Sequence, residues 1–528
     1  MKTNNRFIAA FLLFFSLSLF LKAQQPTFTR VYYDPDGMAQ GYAITTTPHH
    51  NYAIAGERDN QGLVMKVNQA GTILWSKKAV APYSSSFLCI ASTHDSCLLS
   101  AGIATVNTSG AFQIVCVKMT SSGDTVWTRV IDLGNTVYVH SVRQTADHGF
   151  VLTGFQYQDV APNVKIFVMR LDSAGNLVWN KFYTAGGVEN YAFSIRQTSD
   201  GGYILTGNIQ NWTPFSSAAL LMKLTPEGTV MWAKRMALVS NDFLSCWDVV
   251  ETPTGFLGLI KSDNNGIIFL KTDLSGNVLF SSYYYLFLPN QMVNYPRPKL
   301  KPTHDGGFVF SPSGWGFSEG LIKIDSAGNI LLGQAMVLIP SDVVESPDKG
   351  FMLLGNGPVM GVDVTPTDHP QIGVIKTDSG GNSLGCIWWN NFIASNAIIV
   401  NATDVTTTTT SGGQMSSLHI PMVNDNLSIF EGCVAVIGDV NEQKDSENSV
   451  IVSPNPSDGH FQISVNSGNQ ETIEGITVFN SMGEMVYESI IPTSSPIAID
   501  LSSRPDGVYL LQTRIKGQIF LNTVVVID

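Results

Sequence analysis

The stretch RLDSAGNLVW (170–179) places two alternating apolar segments on either side of Asp-Ser-Ala-Gly-Asn. Asp in such a loop bonds the turn amides, and Gly supplies the left-handed backbone that a tight strand connection needs, so the stretch predicts a β-hairpin. The same unit recurs as KVNQAGTILW (66–75), KMTSSGDTVW (118–127) and KLTPEGTVMW (223–232). It persists in weaker form as KTDLSGNVLF (271–280), KIDSAGNILL (323–332) and KTDSGGNSLG (376–385). Its glycines are Gly71, Gly123, Gly175, Gly228, Gly276, Gly328 and Gly381, spaced 52, 52, 53, 48, 52 and 53 residues apart.

Upstream of each copy lies a second turn and alternating strand, as in DHGFVLTG (147–154) and DGGYILTG (200–207). A third segment precedes that turn, as in YVHSVRQTAD (138–147) and YAFSIRQTSD (191–200). Each unit thus holds four short β segments, and four antiparallel strands recurring in fixed phase predict a β-propeller blade. Residues 28–47 look like the last two strands of a unit with nothing before them, while the seventh copy dissolves after Gly385. The expected fold is therefore all-β: a seven-bladed β-propeller whose N-terminal strands close the last blade, followed by a small C-terminal β-sandwich.

Trp75, Trp127, Trp179 and Trp232 hold one position in four units, where an indole would fill the wedge between neighbouring sheets and pass its N–H to a backbone carbonyl. Their spacing from the Asp turn resembles the tryptophan-docking repeat of quinoprotein dehydrogenases. Seven copies, no adjacent cysteine pair and the loss of Trp from three units argue against a quinone site, and no cofactor is expected.

Only 14% of the 528 residues are charged, against roughly 25% in an average soluble protein. The formal charge of −12 disfavours nucleic acid and anionic membranes as partners. Lys2 and Arg6 precede an apolar run from Phe7 to Leu21, with Ala23 before Gln24, which reads as a signal peptide over 1–23. Its removal takes away three cations and lowers the formal charge to −15. No later run is long enough to span a bilayer. The propeller is then expected over 24–389 and a threonine-rich linker or extension over 390–450. Of the six cysteines, Cys386 and Cys433 bracket that extension and are the first candidates for a disulfide; Cys89, Cys97 and Cys116 are near enough in sequence for one more.

Residues 451–528 alternate in the manner of a β-sandwich. They carry Val452-Ser453-Pro454-Asn455-Pro456-x-x-Gly459, then Val478-Phe479-Asn480-x-x-Gly483-Glu484, Ile499-Asp500-Leu501 and Gly507-Val508-Tyr509-Leu510. This stretch resembles the type A C-terminal sorting domain of the type IX secretion system of Bacteroidota, with Pro454, Asn455, Pro456, Gly459, Gly483, Gly507 and Tyr509 as its motif residues. The resemblance implies export, recognition by the outer-membrane translocon, and a place at the cell surface or outside the cell.

No catalytic or metal-binding set stands out. Gly316-Phe317-Ser318-Glu319-Gly320 spells a nucleophile-elbow string but precedes a strand rather than a helix. His94, His148 and His304 sit at equivalent turns, and Asp34 and Asp36 share a loop; both sets read as turn residues. Tyr283, Tyr284, Tyr285, Trp212, Trp315, Trp388 and Trp389 are candidates for stacking on sugars or for packing. The expected function is a noncatalytic binding module for a protein or glycan, with nucleic acid disfavoured by its charge and a monomeric state expected, and with an extracellular polysaccharide hydrolase or lyase as the alternative.

Overall fold

The computed structural model describes residues 27–526, apart from 35–36, 159–163, 213–214, 239–241, 264–265, 285–297, 313–318, 337–338, 357–369, 384–386, 391–394, 398, 413, 417–419, 426, 433–448, 456, 467–471, 480–484, 490–492, 495, 506 and 516–517. Within these residues the chain is all-β, its one helical element being a three-residue 3-10 turn at Pro48–His50. It divides into two units, 1–434 and 435–528.

In the first unit the strands form seven groups of four. The third group shows the local logic: Val137–Gln144, Phe150–Tyr157, Val164–Leu171 and Leu177–Thr184 pair antiparallel in order. The turn from third to fourth strand is closed by Gly175 N–H on the Asp172 carbonyl, 3.1 Å. Gly175 stands at φ +79, a backbone that favours glycine. The other six turn glycines share this positive φ.

The expected seven-bladed β-propeller is corrected by the sheet pairing. The strands form eight separate sheets, of which none closes into a barrel or a continuous circular sheet. A four-strand period determines which strands adjoin within a unit, but not whether hydrogen bonding continues from unit to unit. Here it stops at each group, except that one parallel pairing, Val164 with Glu189, joins the third and fourth groups into a ten-stranded sheet. The expected closure also differs. Phe28–Tyr33 pairs with Ile372–Lys376 in the seventh group, whereas Ala39–Thr47 is the first strand of the first group. The two N-terminal strands therefore serve different sheets.

The outer edge of each group is taken by a strand from 387–432. Ile387–Asn390, Ser395–Ala397, Val400–Asp404, Thr408–Ser411, Gln414–Ser416, Met422–Asn424 and Ser428–Gly432 pair antiparallel with the fourth strands of groups six, five, four, three, two, one and seven, in that order. The tail thus runs back past the groups in reverse. An unpaired edge is a template for association, and this tail covers seven of them.

Apolar clusters are shared between successive groups. Ala53 and Val64 of the first pack with Phe87 and Val115 of the second, and Val31 and Phe351 of the seventh pack with Val309 and Leu321 of the sixth. Each fully buried Phe or Leu in such a cluster contributes about 1.5–3 kcal/mol. In the second unit a three-stranded and a five-stranded sheet share a core of Phe461, Ile463, Ile476, Val478, Leu511 and Val524.

Candidate functional site

The first strand of six groups carries a register irregularity against its second strand, between Gly41 and Ala43, Phe87 and Cys89, Val139 and Ser141, Ala192 and Ser194, Cys246 and Asp248, and Pro340 and Asp342. A bulge needs close backbone approach, and glycines of the second strand provide it: a Cβ on Gly154 would overlap the Tyr138 carbonyl oxygen, and one on Gly207 that of Tyr191. Bulges re-aim the side chains that follow them. Those side chains are Ala43, Cys89, Ser141, Ser194, Asp248 and Asp342, and the last four are polar. Lys299 occupies the equivalent place before the sixth group. Two residues further, on the same strand face, stand Arg143, Arg196 and Lys301.

These residues form one polar centre. Arg196 Nη2 donates to Asp248 Oδ2 at 2.7 Å and to the Leu300 carbonyl at 2.6 Å. Asp248 also accepts from the Ser194 hydroxyl and, at 2.8 Å, from Leu300 N–H. Lys301 Nζ donates to Asp342 Oδ2 and to the Ile44 carbonyl, both at 3.0 Å, and Lys299 Nζ donates to the His140 carbonyl at 3.0 Å. Four cations thus meet two carboxylates, and both carboxylates are buried. Arg143 Nε and Nη2 are buried and make no hydrogen bond.

The electrostatics follow from burial and crowding. Burial and the neighbouring cations bring Lys301 down to about 8, against the attraction of Asp342. Burial also lowers Lys299. Arg143 is lowered by burial and by the Arg196 charge beside it. Burial alone would raise the Asp248 carboxyl, but Arg196 and Arg143 outweigh it and hold the group below its ordinary value. Cys89, at the edge of the centre, is pushed up by burial.

An aromatic group adjoins this centre through His140. The His140 ring lies 5.2 Å from Phe155 and 5.7 Å from Phe193. Tyr138 stacks on Phe155 at 5.3 Å, and Tyr191 meets Phe155 edge-on at 4.8 Å. Tyr157 packs beside both Tyr138 and Phe155 and remains 41% exposed. Tyr138 and Tyr191 are half-buried.

The residues singled out by sequence lie elsewhere. A Cβ on Gly123 would stand 2.9 Å from the Trp75 ring, and the same separation holds for Gly175 and Trp127 and for Gly228 and Trp179; Gly276 and Trp232 give 2.8 Å. Gly71 meets Phe28, Gly328 lies by Phe280, and Gly381 meets Leu332. Each indole therefore touches the turn glycine of the following group. The Trp75 N–H reaches the Ser121 carbonyl at 3.0 Å, whereas that of Trp127 has no partner. His94 and His148 meet edge-on at 5.3 Å, and His304 pairs with Glu345 at 2.8 Å. Asp34 is held by Arg58 at 2.6 Å. Among the described residues no group of three or more His, Cys, Asp or Glu is arranged for a metal. Cys89, Cys97, Cys116 and Cys246 are free thiols.

Tyr284 is buried and Tyr283 packs on the core between the fourth and fifth groups. The leader at 1–23, Asp36, Tyr285, Trp315, Ser318, Cys386, Cys433, Pro456 and Gly483 lie outside the described residues, as do the side chains of Trp212, Trp388 and Trp389. In the second unit Gly459 has φ +99, and a Cβ there would overlap the Ser502 amide. The Tyr509 hydroxyl donates to the Pro505 carbonyl at 2.6 Å. Pro454, Asn455 and Gly507 lie beside these turns and strands.

Sequence reasoning missed the polar centre and the Tyr138 group. Aligning the copies on the Thr or Ser that opens the second turn places Ser141, Ser194, Asp248, Lys299 and Asp342 in one column and Arg143, Arg196 and Lys301 in another. That column of changing charge was the available signal.

Residues 452–527 match the family model of the secretion system C-terminal sorting domain. The chain is cargo of the type IX secretion system. This cargo is exported to the cell surface or the extracellular space, and its sorting domain engages the secretion translocon. No helix among the described residues is long and apolar enough to cross a membrane. No curated protein matches the sequence. Solved structures similar to it include an α-L-arabinofuranosidase from Fusarium graminearum, at 11% identity and TM-score 0.38, covering 66% of this chain and 98% of that one. Sqt1 from Chaetomium thermophilum gives 11% and 0.34 with the same coverage. A protein from Lactobacillus plantarum gives 13% and 0.30 over 62% and 90%. Similarities this slight bear on neither fold nor ligand.

Proposed function

We propose that residues 24–434 are the working part of the cargo, a noncatalytic glycan-binding module, and that 451–528 serve as its address. The observation that carries this reading is the junction at His140, where the Tyr138, Phe155, Tyr157 and Tyr191 rings adjoin a polar centre with unsatisfied donors. Aromatic faces stack on sugar C–H surfaces, and convergent polar groups orient the ring. The two carboxylates of the polar centre speak against hydrolysis there. A glycosidase acid must hold a proton near neutrality, whereas Asp248 and Asp342 are each engaged by a cation and by backbone amides.

The test is a screen of the mature chain against neutral and acidic glycans, with reducing-end release measured alongside. Binding without release, weakened several-fold by Tyr157→Ala, is the expected result. Release of reducing ends by the native chain, or binding to no glycan, would overturn the reading.

A further inference from the structure

The Arg143 guanidinium is the feature of the polar centre that its neighbours leave unexplained. Nε and Nη2 lie on one edge of the guanidinium and form its side-on fork, and both are without a partner. A buried donor left unpaired is costly. The cost is compounded by the flanking charges, because Arg196 and Lys299 are also cationic and, among the described residues, Asp248 and Asp342 are the carboxylates that oppose them. In a chain of net charge −12, such a local excess of cations is not a consequence of composition. Asp248 cannot answer the fork, since its oxygens already accept from Ser194, Arg196 and Leu300.

Building on the glycan-binding reading above, we propose that Arg143 receives the carboxylate of an acidic sugar, so that the ligand is a uronate-containing glycan. A carboxylate presents two oxygens in the plane and spacing that the guanidinium fork matches. Lys299 and Lys301 add point charge beside it. The same carboxylate chemistry occurs on acidic peptides, but the Tyr138 and Tyr191 rings lie five residues back along the strands that carry Arg143 and Arg196, where with Tyr157 they suit a further sugar of the chain.

Calorimetry of the mature chain with tri-galacturonate, its fully methyl-esterified form, and poly-glutamate decides the matter. The free acid should bind at least about tenfold more tightly than the ester, the scale expected of one bidentate charged contact. Arg143→Lys keeps the charge but removes the fork, and should abolish most of that preference while thermal unfolding stays cooperative. Equal binding of acid and ester overturns the carboxylate assignment and leaves the glycan-binding reading standing. Failure of every glycan removes both. Poly-glutamate binding as tightly as the uronate, at the same site, overturns the sugar class. Should Arg143→Lys fail to fold, the acid-to-ester ratio of the native chain still decides.

Discussion

At the second turn of several units an aspartate is held by a cation, and Asp95, Asp147, Asp200 and Asp305 also accept from the threonine two residues before them. Lys118 reaches Asp95 at 2.6 Å, Lys223 reaches Asp200 at 2.9 Å, Lys323 reaches Asp305 at 2.6 Å and Lys376 reaches Asp348 at 2.8 Å, while Arg170 pairs with Asp147. Partial burial would raise Asp95 and Asp200, but the bonds from Lys118 and Thr93, and from Thr198 and Lys223, bring each down to about 2. Carboxylates with depressed folded values add stability that is complete above their unfolded range and is lost as pH falls through the folded one. Urea midpoints should therefore hold from pH 7 to about pH 5 and fall between about pH 4 and 2, with a shallower fall in the Asp95→Asn, Asp200→Asn double variant. A second prediction concerns Gly154. Its replacement by Ala forces a methyl into the Tyr138 carbonyl, and should cost about 3 kcal/mol or more in chemical denaturation, since backbone rather than a side chain must yield. The Asp-Gly turn was legible as a turn. Its cation was not, because Lys118 lies 23 residues from Asp95 and only strand pairing brings them together.

The element with most influence on the architecture is the segment at 387–432. Its composition reads as linker, with Thr406 to Thr410 unbroken, and no amphipathic period marks a strand. It is ordered by the edges it meets: Thr408–Ser411 pairs with Lys181 to Thr184, and its own residues stay exposed. Strand formation imposed by a neighbouring ladder leaves little trace in local sequence. Replacing 387–434 by a short Gly/Ser linker should expose the fourth strands of the groups and shift the chain to larger species than the native one by light scattering. An unchanged mass per particle would show that these edges are guarded in another way. The indoles belong to this scale too. Trp127 is 9% exposed and lies on Gly175 of the next group, so Trp127→Ala should destabilise by about 3 kcal/mol, read from the urea midpoint.

For the whole molecule, export belongs to the C-terminal sorting domain, and the proposed binding belongs to the rest of the chain. Removing 452–528 should leave the remainder in the periplasm, as fractionation and surface labelling would report; normal surface export would contradict the role of the sorting domain. Removing 28–47 acts on two sheets at once, taking the strand beside Ile372–Lys376 from one and the first strand from the other, and should abolish cooperative unfolding. The sequence by itself determined the all-β character, the hairpin at each turn glycine and the sorting domain, because these rest on short-range periodicity and on motifs contiguous in the chain. Only the tertiary structure decided that the sheets remain separate, that the N-terminal strands part company, that the tail edges every group, and that Arg143, Arg196, Lys299 and Lys301 meet. Those are pairings across 50 to more than 300 residues, and the alternation within a strand is the same whichever partner lies beside it.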